Sequence, residues 1–388
     1  MLTALLVFGV TDWSNFTFTQ YKNTYNRVYN DAAEEKHHGQ AFDASLRTVL
    51  IQNAKYAAGK STWYAAINAY SDLTDTEFSA TKKGLLPHSR RMPGSNAAPL
   101  EMEASTPDAV DWRKRLSPGG SKVITPVKDQ GGCGSCWAFA STATIESYYA
   151  LATDELAVLA PQTLVNCAPN PDDCGGTGGC EGSIPELAFN FTRTTGIALE
   201  TDLPYKGRDE PCVPYKAKAT LEGYAKLPTN SAVALEAALA AVGPVSVNVA
   251  ANWRHYSGGI FSGGCTEDSC VLDHVVVATG YQKDDASQTG GYCTPPPPSP
   301  PTQPLLHTHV PTVCGSRVHA GLIRNSWGAD WGEEGYIRLT RSFDTTTFID
   351  KTPASGVACK PFPKTQSVMG ESGVLLDMSY PTGVRAAA

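Results

Sequence analysis

Gln130-Gly131-Gly132-Cys133-Gly134-Ser135-Cys136-Trp137 carries more chemical information than any other stretch of this chain. Its glycines predict a tight turn, and Trp137-Ala138-Phe139-Ala140 opens a helix-favouring run that continues to about Leu151. Cys136 therefore falls where a loop enters a helix. Unpaired N–H groups at such an end carry partial positive charge and favour a thiolate over a thiol. Upstream, Gln130 offers a side-chain amide that can donate to a developing oxyanion. A lone cysteine is more often a small buried hydrophobe. This octapeptide is a rarer object, and two further segments complete a set in chain order: Leu272-Asp273-His274 before an apolar run, and Arg324-Asn325-Ser326-Trp327-Gly328.

Together these motifs closely resemble the papain-like cysteine peptidases of the cathepsin L type. The resemblance implies acyl transfer, with Cys136 as nucleophile and His274, 138 residues downstream, as its imidazole partner. Asn325 would orient the imidazole, and Gln130 with the Cys136 amide would hold the oxyanion. Asn325 lies 189 residues beyond Cys136, further than in the family, and a Pro-rich insertion accounts for the excess. Trp327 is expected to cover the Asn–His hydrogen bond, and Asp273 to cap or pair locally. His255 is a rival imidazole without the family's context. The chemistry needs no metal or other cofactor, and the expected product is a cysteine endopeptidase acting on peptides or proteins. Two other readings stand beside it: a catalytically silent relative that inhibits or binds, and a peptide ligase or transamidase on the same scaffold. The intact set Gln130, Cys136, His274 and Asn325 speaks against silence.

Bulk properties agree. The chain has 388 residues, 41% of them hydrophobic and 18% charged, enough for two or three domains with a full core. A net charge of −7 argues against nucleic acid as a partner, because phosphate binding needs a basic surface. No run approaches a membrane-spanning length, so no stable membrane insertion is expected, and a monomer is the expected state. Eleven cysteines point to the oxidising secretory pathway, with the lysosome, the vacuole or the extracellular space as destinations. The resemblance implies Cys133 paired with Cys180 and Cys167 with Cys212. Cys293 and Cys314 flank the Pro-rich insertion and could staple it. Cys174, Cys265, Cys270 and Cys359 have no assigned partner, and serine stands near Gly370–Val374 where the family's last bridge has a cysteine.

Residues 1–10 form a possible signal segment, apolar but without a basic start. From 11 to 105 the reading is an inhibitory prodomain that would act as an intramolecular inhibitor. Glu34, His38, Phe42, Ser45, Val49 and Asn53 share one helix face and match the spacing of the family's propeptide helix. Ala66-Ile67-Asn68-Ala69-Tyr70-Ser71-Asp72-Leu73-Thr74 resembles its second propeptide motif. Residues 87–106, rich in Pro, Ser, Ala and Asn and containing Arg90-Arg91, read as an extended, cleavable segment. The peptidase domain would span 106–388, with insertions near 284–318 and 342–371. The first insertion carries His307, His309 and His319, read as solvated.

Helical patterns precede short β-type runs at 245–249, 275–278 and 335–339, which gives an α+β class. By resemblance, this is a papain-like fold of two subdomains, a helical half facing an antiparallel β-barrel half across a cleft, preceded by a helical prodomain. The substrate-binding residues it implies are Gly182, Ser183, Ile184, Pro185, Asn248, Trp331 and Asp377. Asp377 stands three residues before Tyr380-Pro381. In the family that position floors the pocket for the residue two before the scissile bond, so the resemblance implies that Asp377 would favour a basic side chain there.

Overall fold

The computed structural model describes residues 6–7, 10–83, 106–266, 269–283, 320–341, 346–359, 361 and 363–387. Cys293, Cys314, His307, His309, His319, Arg90-Arg91 and most of the possible signal segment lie outside them.

Local capping chemistry sets the prodomain helices. Helix α1 (Phe18–Thr24) begins at Thr17, whose hydroxyl accepts from the Gln20 amide while the Gln20 side chain accepts from the Thr17 amide. Helix α2 (Ala32–Ala57) begins at Asp31, whose carboxylate accepts from the Ala33 and Glu34 amides. Phe42, Ser45 and Val49 are buried on one face of α2, as the spacing predicts. Phe42 and Val49 pack with Phe16, Tyr21, Ala65 and Ile67 into the prodomain core. Asn53 exchanges hydrogen bonds with Ala65, and so holds the short strand β1 (Trp63–Ala65) along the helix. Asp72 is tied to the same body by Tyr21 Oη at 2.8 Å, Tyr29 Oη at 2.9 Å and Arg27 at 3.2 Å. Helix α3 (Asp75–Lys82) closes the prodomain with a second capping box, made by Thr74 and Glu77.

After strand β2 (Ala109–Asp111), the helical half consists of α4 (Cys136–Thr153), α5 (Pro161–Cys167) and α6 (Pro185–Thr195). Pro161 and Pro185 occupy the first helical turn, where a missing N–H costs nothing. Helix α4 is buried on nearly all sides, with polar side chains internally bonded (Glu146 to the Lys128 ammonium at 2.7 Å, Thr144 to Ser246 at 2.8 Å), so it runs through the middle of the domain. The second half contains β3 (Gly223–Lys226), α7 (Ala232–Ala241), β4 (Val245–Val249), β5 (Tyr256–Phe261), β6 (His274–Gln282), β7 (Ala320–Arg324), β8 (Tyr336–Thr340) and β9 (Met378–Thr382).

These strands form one sheet in the order β1-β5-β8-β7-β6-β4-β9-β3, with β2 also paired to β6. The barrel expected from the resemblance is an open sheet among the described residues. Its pairs are antiparallel except β8 with β5, and its edges are β1 and β3. One edge is thus supplied by the prodomain, through antiparallel pairing of Trp63 with Gly259 and Tyr64 with Gly258.

Among the described residues, four disulfides join Cys133–Cys180, Cys167–Cys212, Cys174–Cys359 and Cys265–Cys270, which gives partners to the four unassigned cysteines. Cys359 lies in the second insertion, so that segment is tied to the loop after α5. A hairpin pairing Thr347–Asp350 with Gln366–Met369 orders it further. Ser372, in the stretch where the family's last bridge has a cysteine, instead accepts a 3.0 Å bond from Trp253 Nε1. Cys136 is the free cysteine among the described residues. No helix among them is long and apolar enough to cross a membrane.

Phe42 is almost fully enclosed by aromatic neighbours, so its removal leaves a cavity. Phe42→Ala should destabilise the prodomain by about 3–5 kcal/mol, read as a lower urea midpoint of the prodomain transition in the full-length chain. A midpoint unchanged from the parent would show that this core does not hold the prodomain together.

Candidate active site

Cys136 is the first residue of α4, and its thiol sits at the positive end of that buried helix. The loop before it is fixed from several sides. Ser135 Oγ donates to Tyr205 Oη at 2.7 Å, which in turn donates to the Gln130 carbonyl at 2.7 Å. The Cys133–Cys180 bridge and the Gly134–Glu181 backbone pairing tie the loop to the turn at Gly182, where φ is 91° and glycine is favoured.

His274 is the first residue of β6, and Asn325 follows the last residue of β7. Adjacent pairing of these two strands brings the side chains together, with His274 Nε2 donating to Asn325 Oδ1 at 2.8 Å. Nδ1 of His274 is buried without a hydrogen-bond partner, so it is the ring atom left for other chemistry. The Trp327 ring covers the imidazole at 4.8 Å between centroids. Ser326 Oγ donates to Gln130 Oε1 at 2.7 Å, which turns the Gln130 amide nitrogen outward as a donor.

The prodomain lies across these groups. Gln130 Nε2 donates to the Lys82 carbonyl at 3.1 Å, and Cys136 Sγ donates to the Lys83 carbonyl at 3.2 Å. Trp327 Nε1 also donates to the Lys82 carbonyl, at 3.3 Å, and Phe78 meets the Trp327 ring edge-on at 5.1 Å. The Lys82 ammonium pairs with Asp129 at 3.4 Å and lies over the Tyr70 ring. The Lys83 ammonium pairs with Asp273 at 2.9 Å, which gives that aspartate its local partner.

This cover sets the protonation states. Burial pushes the Cys136 thiol up to about 12, with the Asp273 carboxylate adding to it and backbone amides opposing. Burial pulls His274 down to about 3 against the Asn325 hydrogen bond, and the Lys83 and Lys82 ammonium groups pull the same way. The covered pair is therefore a neutral thiol and a neutral imidazole. The thiolate that the helix end favours is not the state of this covered site.

Among the residues read as substrate-binding, Ser183, Ile184 and Pro185 are buried in the turn from Gly182 into α6. Asn248 lies on β4 and Asp377 just before β9, and Asn248 Nδ2 donates to Asp377 Oδ2 at 3.0 Å. Asp377, which the resemblance places against a substrate cation, has its Oδ1 2.6 Å from the Lys226 ammonium. Trp331 is buried beside Trp327, its ring nitrogen donating to the Arg254 carbonyl. His255 is buried against Arg254, and its carbonyl accepts from the prodomain's Ala66, so it belongs to the docking interface. Sequence reasoning missed Lys82-Lys83, Glu186 and Lys226. The available signal for the first pair was two adjacent lysines ending a capped helix.

Residues 106–357 match the papain family of cysteine proteases, and residues 18–78 match the cathepsin propeptide inhibitor domain. A cathepsin L-like proteinase of Phaedon cochleariae is 32% identical over 90% of this chain and 96% of its own length. Digestive cysteine proteinase 1 of Homarus americanus is 32% identical over 88% of this chain and 94% of its own. Among solved structures, digestive procathepsin L 3 of the Tenebrio molitor larval midgut superposes with a TM-score of 0.68 at 26% identity, covering 94% of this chain and 97% of that one.

Two outcomes are expected. Iodoacetamide should alkylate Cys136 in the intact precursor at least about a hundredfold more slowly than after prodomain removal, as mass spectrometry of the modified peptide would show; equal rates would mean the thiol is not covered. The second concerns Glu77. Burial raises its carboxyl, but the Thr74 amide and hydroxyl together with His37 outweigh this and hold it at about 2, below the ordinary 4.5. A depressed value stabilises the fold above 4.5, and that contribution is lost as pH falls from 4.5 towards 2. Glu77→Gln should therefore flatten the acid dependence of prodomain unfolding in this window, followed by tryptophan fluorescence. An unaltered profile would assign the acid response to other carboxylates.

Proposed function

Since the chain belongs to the papain family of cysteine proteases and carries a cathepsin propeptide inhibitor domain ahead of the protease domain, we propose that it is a cysteine endopeptidase made as a zymogen. Residues 11–105 act as the intramolecular inhibitor and 106–388 as the peptidase. The observation that carries this reading is the pair of prodomain carbonyls at the site, Lys82 on the Gln130 amide and Lys83 on the Cys136 sulfur. Peptide carbonyls fill the positions a substrate carbonyl would use.

Cutting between 84 and 105 and releasing the prodomain admits water and removes two ammonium groups from beside His274. Both changes favour the thiolate–imidazolium pair. Cys136 then attacks the scissile carbonyl, and the oxyanion accepts from the Cys136 amide and Gln130 Nε2. His274 gives its proton to the leaving amine as the C–N bond breaks and a thioester remains. Water attacks the thioester, His274 takes its proton, and the acid product leaves as Cys136 regains its starting form. Asn325 keeps the imidazole in the plane and tautomer this needs. The relatives named above are proteinases, which favours water over an amine as the acyl acceptor. The four disulfides among the described residues suit the secretory pathway, with delivery to a lysosome, a vacuole or the exterior.

An epoxide probe of cysteine peptidases, applied before and after acidification with the modified residue mapped, tests the reading directly. Label on Cys136 should appear only with prodomain release. In the released enzyme, Cys136→Ala should lower kcat by at least about 10⁴-fold and Asn325→Ala by about 10²-fold, since the second misorients the imidazole without deleting it. Equal losses would give Asn325 a structural duty instead.

A further inference from the structure

The second insertion bridges the two halves of the protease domain. It is rooted on the β half, where Asn230 donates its side-chain amide to the Ser367 carbonyl and accepts from the Met369 amide of the insertion's hairpin. Between the two hairpin strands the chain crosses the cleft. Val357 and Cys359 pack in one apolar cluster with Ala250 and Leu272 of the β half and with Ile184 of the helical half. Gly356 lies so close to the β half that a Cβ there would meet the Leu272 carbonyl at 2.7 Å. On the opposite wall the Gly175 amide donates to the Ala358 carbonyl at 3.4 Å, and Cys359 is bonded to Cys174.

Both anchoring points belong to the walls of the site. The Thr177 and Gly178 amides donate to the Glu181 and Gly182 carbonyls at 3.3 and 2.7 Å, so the loop that carries Cys174 runs along the Gly182 turn. Leu272 stands two residues before His274. Of the four bridges among the described residues, Cys133–Cys180 and Cys167–Cys212 stay within the helical half and Cys265–Cys270 within the β half; Cys174–Cys359 joins the two. Its Cα atoms are 4.3 Å apart. Neighbouring extended chains need about 4.8 Å between them, so no third chain passes between these two.

We propose that the second insertion is a strap across the acyl end of the cleft, clasped by Cys174–Cys359, and that this peptidase acts on peptides whose amino end lies within a few residues of the scissile bond. A longer acyl chain must run into the strap or leave the cleft before it. The inference rests on the cysteine-peptidase reading and on the assignment of the Gly182–Pro185 turn to the acyl part of the substrate. It narrows that reading to bonds near the start of a chain. The strap touches no reacting atom and acts through the length of chain it admits.

The test uses the released enzyme and a ladder of fluorogenic peptides with free amino ends: Leu-Arg-aminomethylcoumarin and the same peptide extended by one to four alanines. Active sites are counted by epoxide titration. In the parent enzyme kcat/KM should fall by at least about tenfold from the best short member to the longest. Cys174→Ser with Cys359→Ser opens the clasp, and should shrink that fall to less than about threefold while the shortest peptide is hydrolysed within about threefold of the parent rate. A parent whose kcat/KM stays level or rises with length overturns the inference, as does a folded double variant that keeps the full fall. If the double variant does not fold, the parent is read a second way, by mass spectrometry of an unfolded protein substrate during digestion. Short amino-terminal peptides should appear before interior cuts, and interior cuts from the start overturn the strap. Loss of all Cys136-dependent hydrolysis and labelling would instead bring down the peptidase reading and this inference with it.

Discussion

The packing of α4 against β6 is the constraint on which the rest depends. Helix α4 is enclosed on nearly all sides, and Cys136, Trp137, Ala138 and Ala140 share an apolar cluster with Val275 and Val277 of the strand. A close-packed interior gives such a helix little freedom to slide or turn. Its first residue is the cysteine and the strand's first residue is the histidine, so core packing sets where thiol and imidazole stand relative to each other. Pairing of β7 with β6 then delivers Asn325 to the far side of the ring. Cys136, His274 and Asn325 stand at three strand or helix ends held by one core, which is a more accurate support than three loops would be.

The prodomain uses the same geometry by adding to it. It extends the sheet with β1, sets Phe78 and Tyr70 around Trp327, and lays the Lys82–Lys83 main chain over the sulfur and the Gln130 amide. Blocking is only part of the effect. Excluding water raises the thiol and lowers the imidazole, and the two lysine ammonium groups depress His274 further while they pair with Asp129 and Asp273. One short segment thus occupies the site, disfavours its ionisation and binds the carboxylates that flank it.

How legible this was in the sequence followed the range of the interactions. The octapeptide around Cys136, the capping residues Thr17, Asp31 and Thr74, and the buried face of α2 are local patterns, and each marks its element within a few residues. The open sheet was not legible, because β1 is three residues long and gains its partner only when the prodomain docks. Cys174 and Cys359 lie 185 residues apart, and no spacing rule joins them. Asp377 could be placed by counting back from Tyr380-Pro381. Lys226 could not, since it reaches Asp377 through the antiparallel register of β3 on β9, and a lysine near the end of an ordinary strand reads as surface.

Two lysines stand on two aspartates, and they differ in which part of the chain supplies them. Lys83, just after α3, pairs with Asp273, the residue before His274. Lys226 of β3 pairs with Asp377, the residue before β9, and β3 and β9 are neighbours in the sheet. The carboxylate beside the imidazole is thus neutralised from the segment that covers the site, whereas Asp377 is neutralised from within the sheet itself.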